Sequence, residues 1–417
     1  WLPTWNVAGA WNVHEEKFYS NFTNPVLSHA TLKASYSLTA DRGPAFVTNS
    51  QAILNSYSPW RPSASVTESG MRITELENSE LTYEKKHEFN VGIDLGFLKN
   101  RLNLAADYYR RNNFDLIGVI NTQGAGGTIA KYANIASMKS SGIELTISSK
   151  NMRTKDFSWN TDFIFSKTKN EITDLKSHAN VLSLISGNGF GREGYPVRGL
   201  FSIPFAGLTE DGLPTFINQD GQKTISSFNF QEYEKLDFLK YEGPTDPTIT
   251  GSFGNILTYK NLKLNVFVTY SFGNVIRLDP VFSNAYSDLD AMPKEFKNRW
   301  MKAGDENVTN IPTIVSTRMN QQYAYLNMAY NAYNYSDVRI ADGGFIRLKE
   351  ISLSYDLPAK VINFFRLNKL QLKLQATNLC LLYADSKLNG QDPEFFRSGG
   401  VSTPVPKQFT FTVRLGL

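Results

Sequence analysis

The chain has 417 residues, of which 13% are aromatic and 20% charged, and its formal net charge is +4. Mean hydropathy is −0.31, and no stretch approaches the ~18 consecutive apolar residues of a transmembrane helix, so a helical membrane protein is excluded. Basic and acidic residues nearly balance and form no dense basic block, which argues against a nucleic-acid partner. Membrane-spanning strands stay compatible with this composition, because only every second strand residue must be apolar.

Eleven segments alternate apolar and polar residues with the period of two that is typical of strands. In chain order they cover residues 5–13, 32–38, 89–97, 102–109, 143–147, 157–165, 249–259, 262–270, 345–357, 370–375 and 408–417. The last segment alternates without a break, and its apolar face consists of Phe409, Phe411, Val413, Leu415 and Leu417. Outer-membrane barrels close with a terminal strand of this kind, so we interpret it as the barrel-closing strand.

Several turns and one irregularity can also be predicted. Lys99-Asn100 and Lys260-Asn261 each separate two strands as tight turns, and residues 153–156 form a third short connection. In the ninth segment Ile346 and Leu348 share one face, whereas the apolar residues from Ile351 onward occupy the other. This change of parity predicts a β-bulge near residues 349–350.

The connections alternate in length. They are tight after the third, fifth and seventh segments, modest after the first and ninth, and long after the second, fourth, sixth, eighth and tenth, with the longest over about 174–246 and 274–344. Structureless connections of that length are rare in soluble domains. The pattern predicts an all-β fold, an antiparallel transmembrane β-barrel with short periplasmic turns and long extracellular loops. A soluble β-sandwich or propeller is the alternative, but the apolar strand faces are rich in Phe, Trp, Leu and Tyr.

The eleven segments are expected to be an incomplete barrel. Bacterial single-chain barrels usually have an even number of strands, and an unpaired edge strand in lipid costs several kcal/mol for each unsatisfied backbone group. The first residues, Trp1 to Val7, have neither a basic region nor an apolar core typical of a signal peptide. We therefore expect a mature chain or the later part of a longer one, whose final strand pairs outside these residues.

Read in order, the segments resemble the C-terminal part of the SusC/RagA family of TonB-dependent outer-membrane transporters. The residues that carry the resemblance, over essentially the whole chain, are 2–11, 32–37, 194–201, 207–214, 246–255, 259–264, 272–274, 299–305, 311–312, 345–355, 376–379 and 392–394. They include a proline-led first strand and a Phe-Gly-Asn hairpin end at 272–274. One departure is Leu417, where the family usually ends in an aromatic residue.

The resemblance implies that residues 1–417 are a single partial barrel domain, the C-terminal ~11 strands of a 22-stranded barrel without its plug and N-terminal strands. It implies TonB-dependent import of oligomeric nutrients, either oligosaccharides or oligopeptides, across a Gram-negative, Bacteroidetes-like outer membrane. A SusD-like surface lipoprotein lid, TonB acting through the missing N-terminal part, membrane lipid and a second transporter are the implied partners. No cofactor is implied. A non-transporting barrel that serves as a docking or assembly platform for lipoproteins is the alternative.

Enzymatic function is not expected. The glycine-rich residues 189–194 lack a following helix, no nucleophile-elbow motif occurs, and the four histidines are isolated in the sequence without metal-ligand spacing. The single cysteine, Cys380, lies in a strand-like run, where a small buried side chain is the expected role.

Aromatic residues in the long connections are the candidates for substrate or lid contact, because they combine an apolar face with a polar tip. They are Tyr57, Trp60, Phe190, Tyr195, Tyr286, Tyr323, Tyr325, Tyr330, Tyr333 and Tyr335. The alternative is that they pack the loops or form an interfacial girdle. Polar strand faces carry Arg101, Asp107, Glu144, Asp162, Lys263, Lys373 and Arg414. We interpret most of them as solvated charges of the barrel interior, and the alternative is that they line a substrate path or pair with the plug.

Overall fold

The structure is a computed structural model that describes residues 2–20, 26–43, 51–59, 69–122, 124, 130–281, 292–364, 367–396 and 406–416. Strands dominate these residues. Within them, no helix has both the length and the apolar character that crossing a membrane would require.

The described residues contain twenty strands. They are β1 (Trp5–Asn12), β2 (Leu27–Asp41), β3 (Ile53–Tyr57), β4 (Gly70–Glu75), β5 (Glu84–Phe97), β6 (Leu102–Asn121), β7 (Ala130–Arg153), β8 (Phe157–Leu175), β9 (Gly199–Ser202), β10 (Phe205–Leu208), β11 (Pro214–Ile217), β12 (Lys223–Thr224), β13 (Lys240–Pro244), β14 (Ile249–Tyr259), β15 (Leu262–Phe272), β16 (Val275–Arg277), β17 (Ile340–Asp342), β18 (Phe345–Asp356), β19 (Lys369–Ala384) and β20 (Gln408–Gly416).

The helices are short. They are α1 (Lys17–Ser20), α2 (Val181–Ile185), α3 (Thr317–Gln322), α4 (Leu326–Asn334) and α5 (Ala359–Phe364), with 3-10 turns at Val13–Glu15, Lys294–Asn298, Asp305–Asn307, Asp337–Arg339, Ser386–Leu388 and Pro393–Phe395.

One antiparallel sheet of eleven strands forms the wall of the molecule. Its spatial order is β1-β2-β5-β6-β7-β8-β14-β15-β18-β19-β20, so each wall strand pairs with the next wall strand along the chain. These eleven strands coincide with the eleven predicted segments, which confirms the all-β, up-and-down architecture. The two edges, β1 and β20, have one neighbour each among the described strands.

The wall has an apolar face and a polar face, as the alternation predicts. The pairing register of β6, β7 and β8 places Leu104, Leu145 and Phe165 on one face of the sheet. It places Asp107, Glu144 and Ser166 on the opposite face. Aromatic side chains flank the apolar face near the turn end, at Trp11, Trp159, Tyr259 and Tyr355, and toward the loop end, at Trp5, Tyr36 and Tyr383, and Tyr108 lies at the upper border of this face on β6. Such paired aromatic girdles are typical of the two interfaces of a membrane barrel.

The tight turns follow the predictions. Lys260 has a left-handed φ of 50° and with Asn261 forms the two-residue link from β14 to β15. Leu98, Lys99 and Asn100 are all left-handed between β5 and β6, so this turn is slightly longer than the predicted pair. The bulge in β18 is present, because Val268 faces Leu348 and Phe267 faces Glu350, leaving residue 349 unpaired.

The connection after the fourth wall strand corrects a prediction. A long loop was expected between residues 109 and 143, but β6 and β7 continue to Asn121 and from Ala130, which leaves eight residues between them. At 20 and 24 residues, these strands far exceed the ~9–11 residues that cross a membrane. The extension lacks simple alternation because polar residues occupy both faces and Asp115 is left-handed, which breaks the register.

The two longest connections also differ from expectation, since they are folded rather than structureless. Residues 176–248 contain α2 and β9–β13, and residues 273–344 contain β16, α3, α4 and β17. Apart from Ala30, Tyr109, Ile135, Ile172 and Leu370, the buried apolar residues of the described chain belong to the loops. The molecule therefore has an exposed wall and a separate core in its loops.

The predicted barrel-closing strand is β20, which pairs in register with β19 from Lys369–Gly416 to Thr377–Gln408. Phe409, Phe411, Val413 and Leu415 share its apolar face and are 75%, 61%, 47% and 61% exposed. Leu417 lies outside the described residues. That β20 closes the barrel against another strand stays a prediction.

Candidate functional site: the loop end of the wall

All the long connections emerge from one end of the wall, because successive wall strands run in opposite directions. The connections at this end are residues 42–83, 122–129, 176–248, 273–344 and 385–407, whereas the other end carries the tight turns and the two modest connections 13–26 and 357–368. The loop end is where a transport barrel would meet its substrate, so the candidate site is built from these connections.

A shared core joins the two longest connections. Phe201, Ile203 and Phe216 from the first pack with Val281 and Tyr333 from the second, and all five are at most 2% exposed. Ile203 also forms a parallel bridge with Ser336, its amide donating to the Tyr335 carbonyl over 3.1 Å. The described parts of these two connections thus fold as one unit, which we call the loop unit.

Arg277 at the end of β16 links both halves of the loop unit. Its guanidinium donates to the carbonyls of Phe201 at 2.6 Å and Ser336 at 3.0 Å and to the Ser202 hydroxyl at 3.1 Å. Burial lowers the pKa of Arg277 to about 10, which leaves it a cation at neutral pH. A buried cation held by carbonyls of both connections fixes them relative to each other.

Charged pairs surround this arginine. Lys240 lies 3.3 Å from Asp337 and 3.7 Å from Glu242, and these carboxylates raise the pKa of Lys240 although desolvation opposes them. Burial raises the pKa of Glu242 against the opposing effect of Lys240. Arg339, 2% exposed, pairs with Glu295 at 2.7 Å. The loop unit is therefore stabilised by polar contacts as well as by apolar packing.

Another buried arginine attaches the connection between β19 and β20 to the wall. Arg347 of β18 donates to both carboxylate oxygens of Asp392 at 2.6 and 2.7 Å and lies 2.9 Å from Glu394. The Arg347 and Asp392 side chains are 5% and 9% exposed. Removing either charge would leave the other buried without its main partner.

The aromatic candidates occupy distinct environments. Tyr57, Phe190 and Tyr325 are 44%, 40% and 71% exposed. Tyr195, Tyr323 and Tyr335 are half-buried. Trp60 and Tyr286 lie outside the described residues. The exposed members do not form one cluster among the described contacts, so contact with substrate or lid stays a prediction for them.

Tyr330 and Tyr333 lie inside the loop unit, and this corrects their assignment as contact residues. Each is 1% exposed, and the Tyr330 hydroxyl donates to the Thr313 carbonyl over 2.6 Å. Burial raises the pKa of Tyr333 to about 12. Their spacing on α4 places both on its inner face, so these rings pack the loops, as the alternative interpretation held.

Tyr195 belongs to an aromatic group that the sequence did not reveal. Its ring centroid lies 4.9 Å from both Phe201 and Tyr241, which are 5.3 Å apart. The Arg192 guanidinium lies 5.4 Å from the Tyr195 ring centroid and pairs with Asp237 at 2.6 Å. These residues come from segments about 45 positions apart, so no local sequence pattern could have indicated the group.

Three of the seven predicted polar-face charges have local partners within the described residues. Arg101 donates to the Lys150 and Asn151 carbonyls, Asp162 accepts from Ser148 at 2.7 Å, and Lys373 lies 3.9 Å from Glu350.

Two residue types differ from expectation. Cys380 is exposed, and pairing with Leu348 places it on the apolar face of the wall. His14 and His29 are far apart in sequence, yet their ring centroids lie 4.3 Å apart between β1 and β2. No third His, Cys, Asp or Glu completes a metal-binding group with them among the described residues.

Comparison with known proteins identifies relatives by sequence. No family model matches the chain. It is 24% identical over 408 residues to TonB-dependent receptor P3 of Formosa agariphila, covering 92% of this chain and 37% of that protein. It is 25% identical over 445 residues to TonB-dependent receptor SusC of Bacteroides thetaiotaomicron, covering 99% and 39%. The chain thus spans about two fifths of the length of the curated relatives it matches.

Solved structures give the same answer for the fold. The RagAB peptide importer in its open-open state matches with a TM-score of 0.76 at 23% identity, over 99% of this chain and 42% of that chain. The RagAB peptide transporter matches with a TM-score of 0.75 at 22% identity, over 99% and 43%. The chain is a SusC/RagA-like relative of the TonB-dependent receptors, and its wall is part of an outer-membrane β-barrel.

Proposed function

We propose that the protein containing this chain imports oligomeric nutrients across the outer membrane in a TonB-dependent manner, with a SusD-like lipoprotein as a lid over the loop end. The observation that carries the proposal is the loop unit, since two long connections at one end of the wall fold into a single buried core. A rigid unit at the mouth supplies a fixed surface for a ligand or a lid, whereas plain hairpin loops would not.

An oligopeptide substrate has support from the RagAB peptide transporter, whose fold the chain shares. Exposed aromatics such as Phe190 and Tyr325 can pack on either a peptide or a sugar ring. Oligopeptides and oligosaccharides are therefore both proposed as substrate classes, and an uptake experiment with each class distinguishes them.

Uptake by the full-length protein tests the proposal. Cells that express it should accumulate labelled oligopeptides or oligosaccharides, and removal of TonB or of the proton motive force should abolish accumulation. Retained accumulation without TonB, or no accumulation of either class, would favour the non-transporting docking platform.

The contribution of the loop aromatics is tested by Phe190→Ala combined with Tyr325→Ala. We expect substrate affinity to fall roughly tenfold, because an aromatic contact contributes about 0.5–1.5 kcal/mol. Tyr233→Ala is the matched control. Tyr233 is 60% exposed, lies in the same connection as Phe190, and does not belong to the predicted contact residues. Equal losses in the variant and the control would show that these aromatics have no specific role.

A further inference from the structure

A group of basic side chains lies on the outer face of the wall, directly above its apolar belt. Arg110 of β6 faces Ser141 of β7, which faces Lys169 of β8. Lys139 and Lys167 lie two positions from Ser141 and Lys169 along the same strands. Three adjacent strands therefore bring four cations together, and we call this group the basic patch.

The register shows that the basic patch faces outward. Arg110 follows Tyr108 by two positions, so both side chains project from the same face of β6. Tyr108 pairs with Ile143, and Ile143 pairs with Lys167. Since Ile143 and Tyr108 belong to the apolar, lipid-facing side, the basic side chains above them also point away from the barrel interior.

The basic patch includes a concavity. Tyr108, Arg110, Lys139, Ser141 and Lys169 line a cavity of about 290 Å3 together with neighbouring residues. Glu171 is the one carboxylate that lines it, at 2.7 Å from Lys139 and 3.8 Å from Lys169. Within the described residues Arg110 and Lys167 have no carboxylate partner. The patch therefore has a clear excess of positive charge.

The strands beyond β8 carry no such charge at the corresponding positions. Near the loop end of β14, β15, β18 and β19, the apolar face carries Ile249, Phe272, Ile346 and Tyr383, whereas Lys85 and His87 lie on this face of β5, on the opposite side of the basic patch. Solvated surface charges would be spread around the wall and mixed in sign. The cluster instead combines hydroxyl groups, cations and an aromatic ring at the upper border of the apolar face of β6, β7 and β8.

We propose that Arg110, Lys139 and Lys169 bind the phosphate group of an anionic lipid headgroup in the outer leaflet, with Tyr108 at the boundary between headgroup and acyl chains. Arginine and lysine are the side chains that recognise phosphate oxygens, and each basic residue near an anionic lipid surface strengthens binding about fivefold. The apolar side chains below, Ile143 among them, provide the surface that acyl chains would cover. This position favours a lipid phosphate over a free phosphate ion.

The test uses the full-length protein in detergent and measures lipid binding by native mass spectrometry. The probes are phosphorylated lipid A, the same lipid after enzymatic dephosphorylation, and inorganic phosphate. The variant carries R110Q, K139Q and K169Q. The matched control carries K263Q, K373Q and R414Q, which remove three cations from the inner, polar face of the same wall.

We expect the wild type and the control to bind phosphorylated lipid A equally, and the patch variant to bind it roughly 100-fold more weakly, since three basic residues are lost. The dephosphorylated lipid should bind the wild type as weakly as the patch variant binds the phosphorylated one. Circular dichroism and resistance of the barrel to unfolding in cold detergent verify that the variants are folded.

Three outcomes would overturn the proposal. Unchanged binding by the folded patch variant would show that these cations do not contact the headgroup. Equal binding of both forms of the lipid would show that phosphate is not recognised. Displacement of the lipid by an equal concentration of inorganic phosphate would show a free anion site. None of these measurements depends on nutrient uptake, so failure here is distinct from failure of the import proposal.

Discussion

At the scale of single residues, buried arginines set the geometry of the loop end. Arg277 joins the two long connections through carbonyl oxygens, and Arg347 attaches a third connection through Asp392. A buried ion pair adds little net stability, but loss of one partner is costly because the other stays desolvated. Arg347 should therefore tolerate replacement together with Asp392 better than the loss of Asp392 alone.

Replacement of Asp392 by Asn tests the attachment at Arg347. We expect the variant to lose about 3 kcal/mol locally, because Arg347 keeps its charge in a buried position. Protease cleavage within residues 385–407 should accelerate accordingly. Glu394→Gln is the control with a smaller expected effect, since Glu394 is 46% exposed. The double variant Arg347→Met, Asp392→Leu should recover much of the loss, and equal cleavage of all the variants would contradict the buried pair.

The burial of Tyr333 should make the loop unit lose stability at alkaline pH. Burial raises its pKa to about 12, so the folded state holds the phenolic proton more tightly than the unfolded state, whose value is near 10. This contribution is fully present below pH 10 and is lost as the pH rises through 12, and the total loss of stability is about 2–3 kcal/mol. Thermal unfolding between pH 9 and 12 should show a steeper loss for the wild type than for Tyr333→Phe, and parallel curves would contradict it.

At the scale of elements, the eleven wall strands could be read from the alternation of residues because each is constrained on both faces. One face contacts lipid and the other faces a polar interior, so the period of two persists along the membrane-crossing part. Above the membrane this constraint ends. The upper halves of β6 and β7 are continuous strands in the structure, yet residues 110–142 gave no alternation from which to predict them.

Replacement of Gly142 in β7 tests how closely side chains pack on the inner face of the wall. A Cβ atom at Gly142 would lie 2.5 Å from the Tyr109 ring and hydroxyl, and the Tyr109 ring is already covered by the Arg111 guanidinium at 4.2 Å. Gly142→Val should therefore destabilise the wall by about 1–3 kcal/mol through overpacking. Gly9→Ala is the control, since a Cβ atom there meets nothing within 4 Å. The midpoint of heat-induced barrel unfolding measures both, and equal midpoints would contradict the close contact.

At the scale of the whole molecule, the apolar face of the wall is assigned to lipid and the polar face to the barrel interior, and this assignment can be tested by substitution. Ile147 and Thr146 are adjacent in β7 and project from opposite faces, Ile147 toward lipid and Thr146 toward the interior. Ile147→Arg should cost about 2–4 kcal/mol because arginine is then placed in the bilayer, and Thr146→Arg should cost little. Folding of the full-length protein into lipid vesicles at graded urea concentrations measures the difference. The reverse order would show that the two faces are misassigned.

The open edges of the wall belong to the same scale. β1 and β20 each expose one side of their backbone within the described residues. We propose that further strands of a larger barrel cover both edges, since unpaired backbone groups are not tolerated in lipid. The relatives, of which the chain covers about two fifths, are long enough to supply them.

Local sequence determined the wall of this protein. The identity of the eleven strands, the tight turn at Lys260-Asn261 and the bulge in β18 all follow from the alternation of side chains and from turn geometry, which act between neighbours along the chain. Tertiary structure alone decided the loop end. The Arg277 contacts, the Tyr195 group, the burial of Tyr330 and Tyr333 and the basic patch all join distant segments or adjacent strands. Such contacts depend on which chain segments meet in space, so the local alternation of apolar and polar residues does not predict them.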